Sequence, residues 1–181
     1  MKKNIKILLF LVFVIVSFGV ISMLLISKQY HFERVITVNA TQSEVFEYIK
    51  STKRFNEWNP WRKLDPSMSI KYFGKDGEIG DEYCWKGNKD VGEGCHVITN
   101  IVPNHFQQSK MTFRKPFESI GYSDIILIPL GKQTKVIWTL DCELDYPMNL
   151  MKFFMDKGMN KSYSEGLLNL KVLVENSTIK Q

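Results

Sequence analysis

Trp85-Lys86-Gly87-Asn88-Lys89-Asp90-Val91-Gly92-Glu93-Gly94 is the run whose reading decides the fold. Upstream of it lie Gly80 and Glu57-Trp58-Asn59-Pro60-Trp61; downstream lies Thr134-Lys135-Val136-Ile137-Trp138. No metal, phosphate or nucleophile chemistry calls for that set of residues. It suits a twisted antiparallel sheet whose tight turns need glycine and whose concave face is lined by large aromatics. That pattern points to a binding cavity before it points to an active site.

The run itself reads as a hairpin around Asn88–Val91. With Gly87 and Gly92 flanking the turn as partners, Tyr83 faces His96, Cys84 faces Cys95 and Trp85 faces Gly94. Strand alternation then sends Tyr83, Trp85, His96 and Ile98 inward and the two cysteines outward. Cys84 and Cys95 are read as two adjacent free thiols, with a cross-strand disulfide as the alternative in an oxidising compartment. The third cysteine, Cys142, stands apart, and no C-x-x-C spacing or histidine grouping suits a metal.

Working outward, a first strand is expected over Phe32–Asn39. Thr41-Gln42-Ser43-Glu44 has the form of a capping box, opening a short helix with Val45, Phe46 and Ile49 on its apolar face. A further helical turn over Lys53–Glu57 delivers the chain to Trp58 and Trp61, and Pro60 stops it. Strands are then expected at Met68–Phe73, Glu82–Lys86, Cys95–Val102, His105–Phe113, Ile120–Ile128 and Thr134–Cys142. Gly, Pro, Asn and Asp separate most of them at hairpin lengths, which makes sequential antiparallel pairing the natural topology. From about Met148 to Glu175 the apolar stripe Met151, Met155, Met159, Tyr163, Leu167, Leu170 and Val174 predicts one long helix. Gly158 is expected to kink it and Gly166 to bring it close to the sheet.

The N-terminus is different. Ile7 through Ile26 carries no charge over 20 residues, with Lys2, Lys3 and Lys6 before it and Lys28 after it. At 1.5 Å per residue that length matches a hydrocarbon core of about 30 Å. The exit Met23-Leu24-Leu25-Ile26-Ser27-Lys28 is a poor cleavage site, so the segment reads as an uncleaved signal anchor. The charge asymmetry leaves the N-terminus in the cytoplasm and the remaining domain outside it. The expected organisation is therefore a basic tail (1–6), a transmembrane anchor (7–26), a connector (27–31), one domain (32–176) and a tail (177–181). The domain of about 150 residues is long enough to bury roughly 70% of its unfolded surface. The net charge of +5, from 24 basic and 19 acidic residues, is dispersed without a basic stripe, which excludes a nucleic-acid partner.

With these elements on the page, the chain resembles the SRPBCC superfamily of START-like, helix-grip domains, and within it the bacterial polyketide cyclase/dehydrase-like branch. The resemblance rests on Trp58-Asn59-Pro60-Trp61, Asp65-Pro66, Gly74, Gly80, Tyr83-x-Trp85-x-Gly87-Asn88, Val91-Gly92-Glu93-Gly94, Pro103, Lys115-Pro116-Phe117, Thr134-x-Val136-x-Trp138 and Gly166-Leu167-x-Asn169-Leu170-Lys171. It implies an α+β helix-grip fold: a six- to seven-stranded antiparallel sheet wrapped around the long C-terminal helix, here preceded by one transmembrane helix. The branch has no shared catalytic signature on this chain.

The expected function is a membrane-anchored binding domain for a small hydrophobic ligand such as a lipid, quinone or polyketide-like molecule, with no cofactor and no metal. Tyr83, Trp85, His96, Phe113 and Trp138 are expected to line the cavity, Met151 and Met155 to form a flexible lid, and Trp58 and Trp61 to stand at its mouth. The alternatives are a cyclase, dehydratase or hydrolase using His96 and Tyr83 as acid–base partners, and a protein-interaction module with a filled core. His31, in the connector, and His105 are expected in solvent. So are the acids near turns, Glu57, Asp81, Glu82 and Glu93, and the run Asp141, Glu143, Asp145.

Overall fold

The structure is a computed structural model that describes residues 2–178; Met1 and most of the expected tail 177–181 lie outside the described residues. A long helix α1 (Lys2–Leu25) leads into strand β1 (Gln29–Val38), the short helices α2 (Gln42–Ile49) and α3 (Thr52–Trp58), and a 3-10 turn at Pro60–Lys63. Six strands follow: β2 (Ser69–Phe73), β3 (Glu82–Lys86), β4 (Glu93–Val102), β5 (Phe106–Lys115), β6 (Ser119–Leu130) and β7 (Gln133–Glu143). A 3-10 turn at Met148–Met151 then opens into α4 (Lys152–Thr178).

All seven strands form one antiparallel sheet in the order β1-β7-β6-β5-β4-β3-β2. Each hairpin therefore pairs neighbours in sequence, and the first strand closes the far side on the last. Inward-facing apolar residues, among them Phe32, Val38, Ile125, Leu127, Val136 and Leu140, meet Tyr163, Leu167, Leu170 and Val174 of α4. Gly166 lets the helix come close: a Cβ there would lie 2.7 Å from the Trp138 ring and 3.1 Å from Pro60. This is the helix-grip arrangement, α+β, with an apolar helix in front.

Several local expectations are met. Thr41 caps α2 in a full capping box with Glu44. In the β3–β4 hairpin the Gly87 amide donates to the Gly92 carbonyl at 2.9 Å, and Tyr83, Cys84 and Trp85 pair with His96, Cys95 and Gly94.

Others need correction. The strand expected from Phe32 begins at Gln29, because Gln29, Tyr30 and His31 pair with Glu143, Cys142 and Asp141. The connector is thus reduced to about Ile26–Lys28, and His31 is a strand residue bonded to Asp141 at 2.7 Å. Gly158 makes no break, since α4 runs unbroken from Lys152 to Thr178. Asp81 is not a solvated turn charge. It is 2% exposed and accepts hydrogen bonds from the Thr52 amide (3.0 Å), the Thr52 hydroxyl (2.6 Å) and the Gly77 amide (2.9 Å).

Cys84 and Cys95 are joined as a disulfide, not free thiols. It ties β3 to β4 on the face away from α4. Among the described residues the one trio of metal-capable side chains is Glu82, Cys84 and Cys95, and its two sulfurs are bonded to each other. Reduction is expected to add the mass of two hydrogens and to destabilise the domain by about 2 kcal/mol, through the freed chain entropy of a short loop. Intact mass and the thermal midpoint with and without reductant measure both. An unchanged mass would remove the disulfide.

The exit of α1 is fastened to the domain. The Asn149 amide donates to the carbonyls of Met23 and Ile26 (both 2.9 Å), Lys152 Nζ to that of Ser27 (3.1 Å) and the Tyr146 hydroxyl to that of Leu24 (3.4 Å). A helix end leaves its last carbonyls without intrahelical partners, and these side chains fill that role. Upstream, α1 has a 22-residue stretch (Asn4–Leu25) long and apolar enough to cross a membrane, and none of its most apolar window is buried against the domain.

Candidate functional site

Between the concave face of the sheet and α4 lies a cavity of about 1280 Å³. Its walls follow from the register. Trp85 on β3, Gly94 on β4 and Phe113 on β5 form an outer row; Tyr83, His96 and Met111 form the next row inward. The indole of Trp85 donates to the Val91 carbonyl at 3.0 Å across its own turn, and its ring lies over Gly94. A Cβ at Gly94 would sit 2.7 Å from that ring and 2.5 Å from the Thr112 carbonyl, so the bare backbone makes the aromatic wall possible.

On the opposite wall Trp138 stacks on Tyr163 with centroids 3.9 Å apart, and its indole donates to the Ser123 hydroxyl at 2.9 Å. Ser123 in turn donates to the Thr139 carbonyl at 2.8 Å. Met151, Met155 and Met159 come from one stripe of the C-terminal helical segment, and Phe55 of α3 closes the floor. Methionine side chains adapt to irregular apolar shapes, which fits a wall that must receive something.

His96 is the polar exception. It is 5% exposed, lies between Phe55 (centroids 5.1 Å) and Tyr83 (5.2 Å), and both of its ring nitrogens are without a hydrogen-bond partner among the described residues. Desolvation pushes its pKa down to about 4, the charge of Asp81 opposing that only in part. At neutral pH the ring is therefore an uncharged donor–acceptor. Burial also raises the Tyr83 phenol well above its ordinary range, with Asn59 opposing, so it stays protonated. Cys142, also on the wall, has its thiol pushed up to about 11 by burial and by Asp141, so it is neutral too. The charged lining residues, Lys89, Asp90, Arg114, Lys115, Glu118, Glu143 and Asp145, belong to the turns and adjoining strand ends at the opening.

Of the residues expected from the sequence, Tyr83, Trp85, His96, Phe113, Trp138, Met151, Met155 and Trp61 all border this one cavity. Trp58 does not stand at the mouth. It is 1% exposed, packs edge-on to Phe55 and Trp138, and donates its indole N–H to the Tyr48 carbonyl at 2.9 Å. Sequence reasoning passed over Phe55, Met111, Met159, Tyr163 and Ser123 as lining. Met111 and Tyr163 had a signal: the first alternates with Phe113 on β5, and the second continues the Met155 stripe.

A family model described as polyketide cyclase/dehydrase and lipid transport matches residues 29–175, nearly the whole domain from the first strand to the end of α4. The chain belongs to this family. The polyketide cyclase/dehydrase and lipid transport family thus accounts for the fold and places the chain in the SRPBCC superfamily, as a domain of the hydrophobic-ligand-binding kind. Its members' fold is shared by distant solved structures. A norcoclaurine synthase point mutant from Thalictrum, in complex with a transition-state analogue, superposes with a TM-score of 0.64 at 11% identity, covering 83% of this chain and 96% of that one. The crystal structure of Ara h 8.0201 gives 0.60 at 15%, covering 82% and 99%. The di-domain aromatase/cyclase StfQ of the steffimycin pathway gives 0.63 at 10%, covering 83% of this chain and 52% of that one. No curated protein matches the chain by sequence.

Proposed function

We propose that this protein is a membrane-anchored receptor for a small, uncharged hydrophobic molecule carrying at least one polar atom, of the lipid, quinone or polyketide-like class. The observation that carries the proposal is the pairing of a large aromatic- and methionine-lined cavity with one buried histidine whose two ring nitrogens are unsatisfied. A buried polar group left without a partner costs about 1–3 kcal/mol. A ligand carbonyl or hydroxyl that meets His96 recovers that cost, while burial of its apolar body supplies the rest at about 25 cal/mol per Å². The interior carries no charge at neutral pH that would select an ionised ligand.

The cavity also exceeds the roughly 300–1,000 Å³ usual for small-molecule sites, which favours an elongated or flexible occupant and speaks against a module with a filled core. Acid–base catalysis by His96 and Tyr83 is the second reading. A histidine with a pKa near 4 is a weak base at neutral pH, and the two rings pack without a bond between them, so binding takes precedence.

Anchoring follows from α1 as a single membrane span. The Cys84–Cys95 disulfide supports an oxidising, extracytoplasmic compartment for the domain, in keeping with the lysines at the chain's start.

Gentle native mass spectrometry of the full chain in mild detergent is expected to show a co-purifying neutral small molecule. With that molecule in hand, His96→Leu should weaken binding about tenfold, the worth of one buried hydrogen bond. A clean apo mass from freshly purified protein would count against constitutive binding, and an unchanged affinity in His96→Leu would remove the histidine from recognition.

A further inference from the structure

The antiparallel register gathers four chain segments on one edge of the sheet. They are the start of β1 at Gln29, the end of β7 at Glu143, the β5–β6 turn around Phe117 and the β3–β4 turn around Asp90. The last three carry the loops that ring the cavity opening. The opposite edge holds the β6–β7 turn at Gly131 and the β2–β3 connection. The cavity therefore opens at the same edge at which α1 joins the domain.

Three residues, Ile26–Lys28, separate Leu25, the last residue of α1, from Gln29, four backbone steps with a reach of at most about 14 Å. The side chains of Tyr146, Asn149 and Lys152 take up even that slack by bonding the backbone of Met23–Ser27. If α1 spans a bilayer, this sheet edge cannot be far from the bilayer surface.

The edge is also apolar where it projects. Phe154 is 75% exposed, Phe153 65% and Phe117 58%, and Met151 and Tyr146 are exposed beside them. Phe153 and Phe154 lie in the first turn of α4, directly after the 3-10 turn whose Asn149 holds the anchor. Lysines and acids are mixed here, Lys28 and Lys152 with Glu143 and Asp145, so the surface has no strong sign. Large aromatics without a dominant charge suit a lipid interface that is entered by apolar burial.

We infer that this edge rests in the membrane surface, with Phe117, Phe153 and Phe154 in the boundary between headgroups and acyl chains, so that the cavity opens directly onto the leaflet and takes its ligand from there. The inference rests on α1 being a membrane span, and goes beyond it in fixing which face of the domain meets lipid. A ligand entering by this route never crosses water. The methionines along Met151–Met159 then line the passage from leaflet to His96.

The test uses the full chain in phosphatidylcholine nanodiscs, with the photoreactive residue p-benzoylphenylalanine placed in turn at Phe117, Phe154, Leu130 and Phe13. Leu130 is an exposed apolar residue on the opposite edge, and Phe13 lies inside α1. Irradiation should give phosphatidylcholine adducts at positions 13, 117 and 154 and none at 130, read by mass spectrometry. Adducts at 13 but not at 117 or 154 would overturn the docked edge and leave the anchor standing. No adduct at 13 would remove the anchor and the docked edge with it. Equal adducts at 117, 154 and 130 would mean unspecific contact, and protein–protein adducts at 117 and 154 would assign the face to a second copy; both overturn the inference.

Discussion

Asp81→Ala is expected to lower the unfolding free energy by about 3–5 kcal/mol, the largest loss from any single polar side chain outside the cavity. The carboxylate stands between three elements. It accepts the Thr52 amide and hydroxyl at the start of α3 and the Gly77 amide in the β2–β3 connection, while its own carbonyl accepts the Ile98 amide from β4. Alanine keeps the last of these bonds and strands the two Thr52 donors in a buried site and the Gly77 amide in a half-buried one. Hydrogen bonds to a charged acceptor are worth about 1.5–3 kcal/mol each, and the sum is reduced where the loop relaxes toward solvent. Asp81→Asn should fall between, because the amide keeps one acceptor and turns a donor toward a donor. Urea unfolding of the detergent-solubilised chain reads the effect as a lower midpoint at unchanged slope. A midpoint within error of the wild type would show that Asp81 does not hold α3. Since α3 carries Phe55 to the cavity floor, the same variant should also loosen the wall around His96.

Acidification between about pH 6.5 and pH 4 should cost the fold roughly 3 kcal/mol through His96 alone. The folded-state pKa near 4 lies below the ordinary 6.5, the reverse of a histidine that gains an anionic partner. In that window the unfolded chain binds a proton that the folded chain refuses, so stability rises with pH and falls as pH drops. Above pH 6.5 both states are neutral, and below pH 4 both are charged, so the loss ends there. Desolvation by the surrounding ring walls is the main cause. The groups that bear on it are the Asp81 carboxylate, which favours the charged form, and the protonated Tyr83 phenol beside the ring. His96→Phe keeps a planar ring and removes the titration. Other groups titrate alike in both proteins, so the difference between their stability–pH curves isolates His96. Parallel curves from pH 7 to pH 4.5 would sink the assignment. A bound ligand that bonds His96 should deepen the dependence, since only the neutral ring can both donate and accept.

The hairpin register was readable because two glycines bracket its turn, and a period-2 rule then places every residue on either side. The same rule carried Tyr83, Trp85 and His96 to the cavity without any long-range knowledge. Asp81 was not readable, because its partner Thr52 opens α3, with the rest of that helix, a 3-10 turn and β2 in between, and nothing in Gly80-Asp81-Glu82 separates a buried carboxylate from an exposed one. The polar Gln29-Tyr30-His31 looked like connector for the opposite reason. Its composition is that of a loop, and pairing with Asp141–Glu143 overrides it. Trp58 and Trp61 sit three residues apart, yet one is core and the other borders the cavity; Trp58 ends α3, Trp61 lies in the 3-10 turn, and both meet Trp138 edge-on, a long-range packing that no local pattern encodes. The disulfide was open on sequence grounds because opposed cysteines are compatible with either state.

The bonds from Tyr146, Asn149 and Lys152 to the end of α1 have a mechanical meaning. A domain on a loose tether swings through a wide cone and samples its membrane with every side in turn. Here the hinge is stapled shut, so rotation of α1 about its own axis turns the whole domain with it, like a key on its shaft. With α1 as the proposed membrane span, it works as a bearing as well as a leash: it sets heading and tilt, and small changes in bilayer thickness would be felt as changes in how the domain stands.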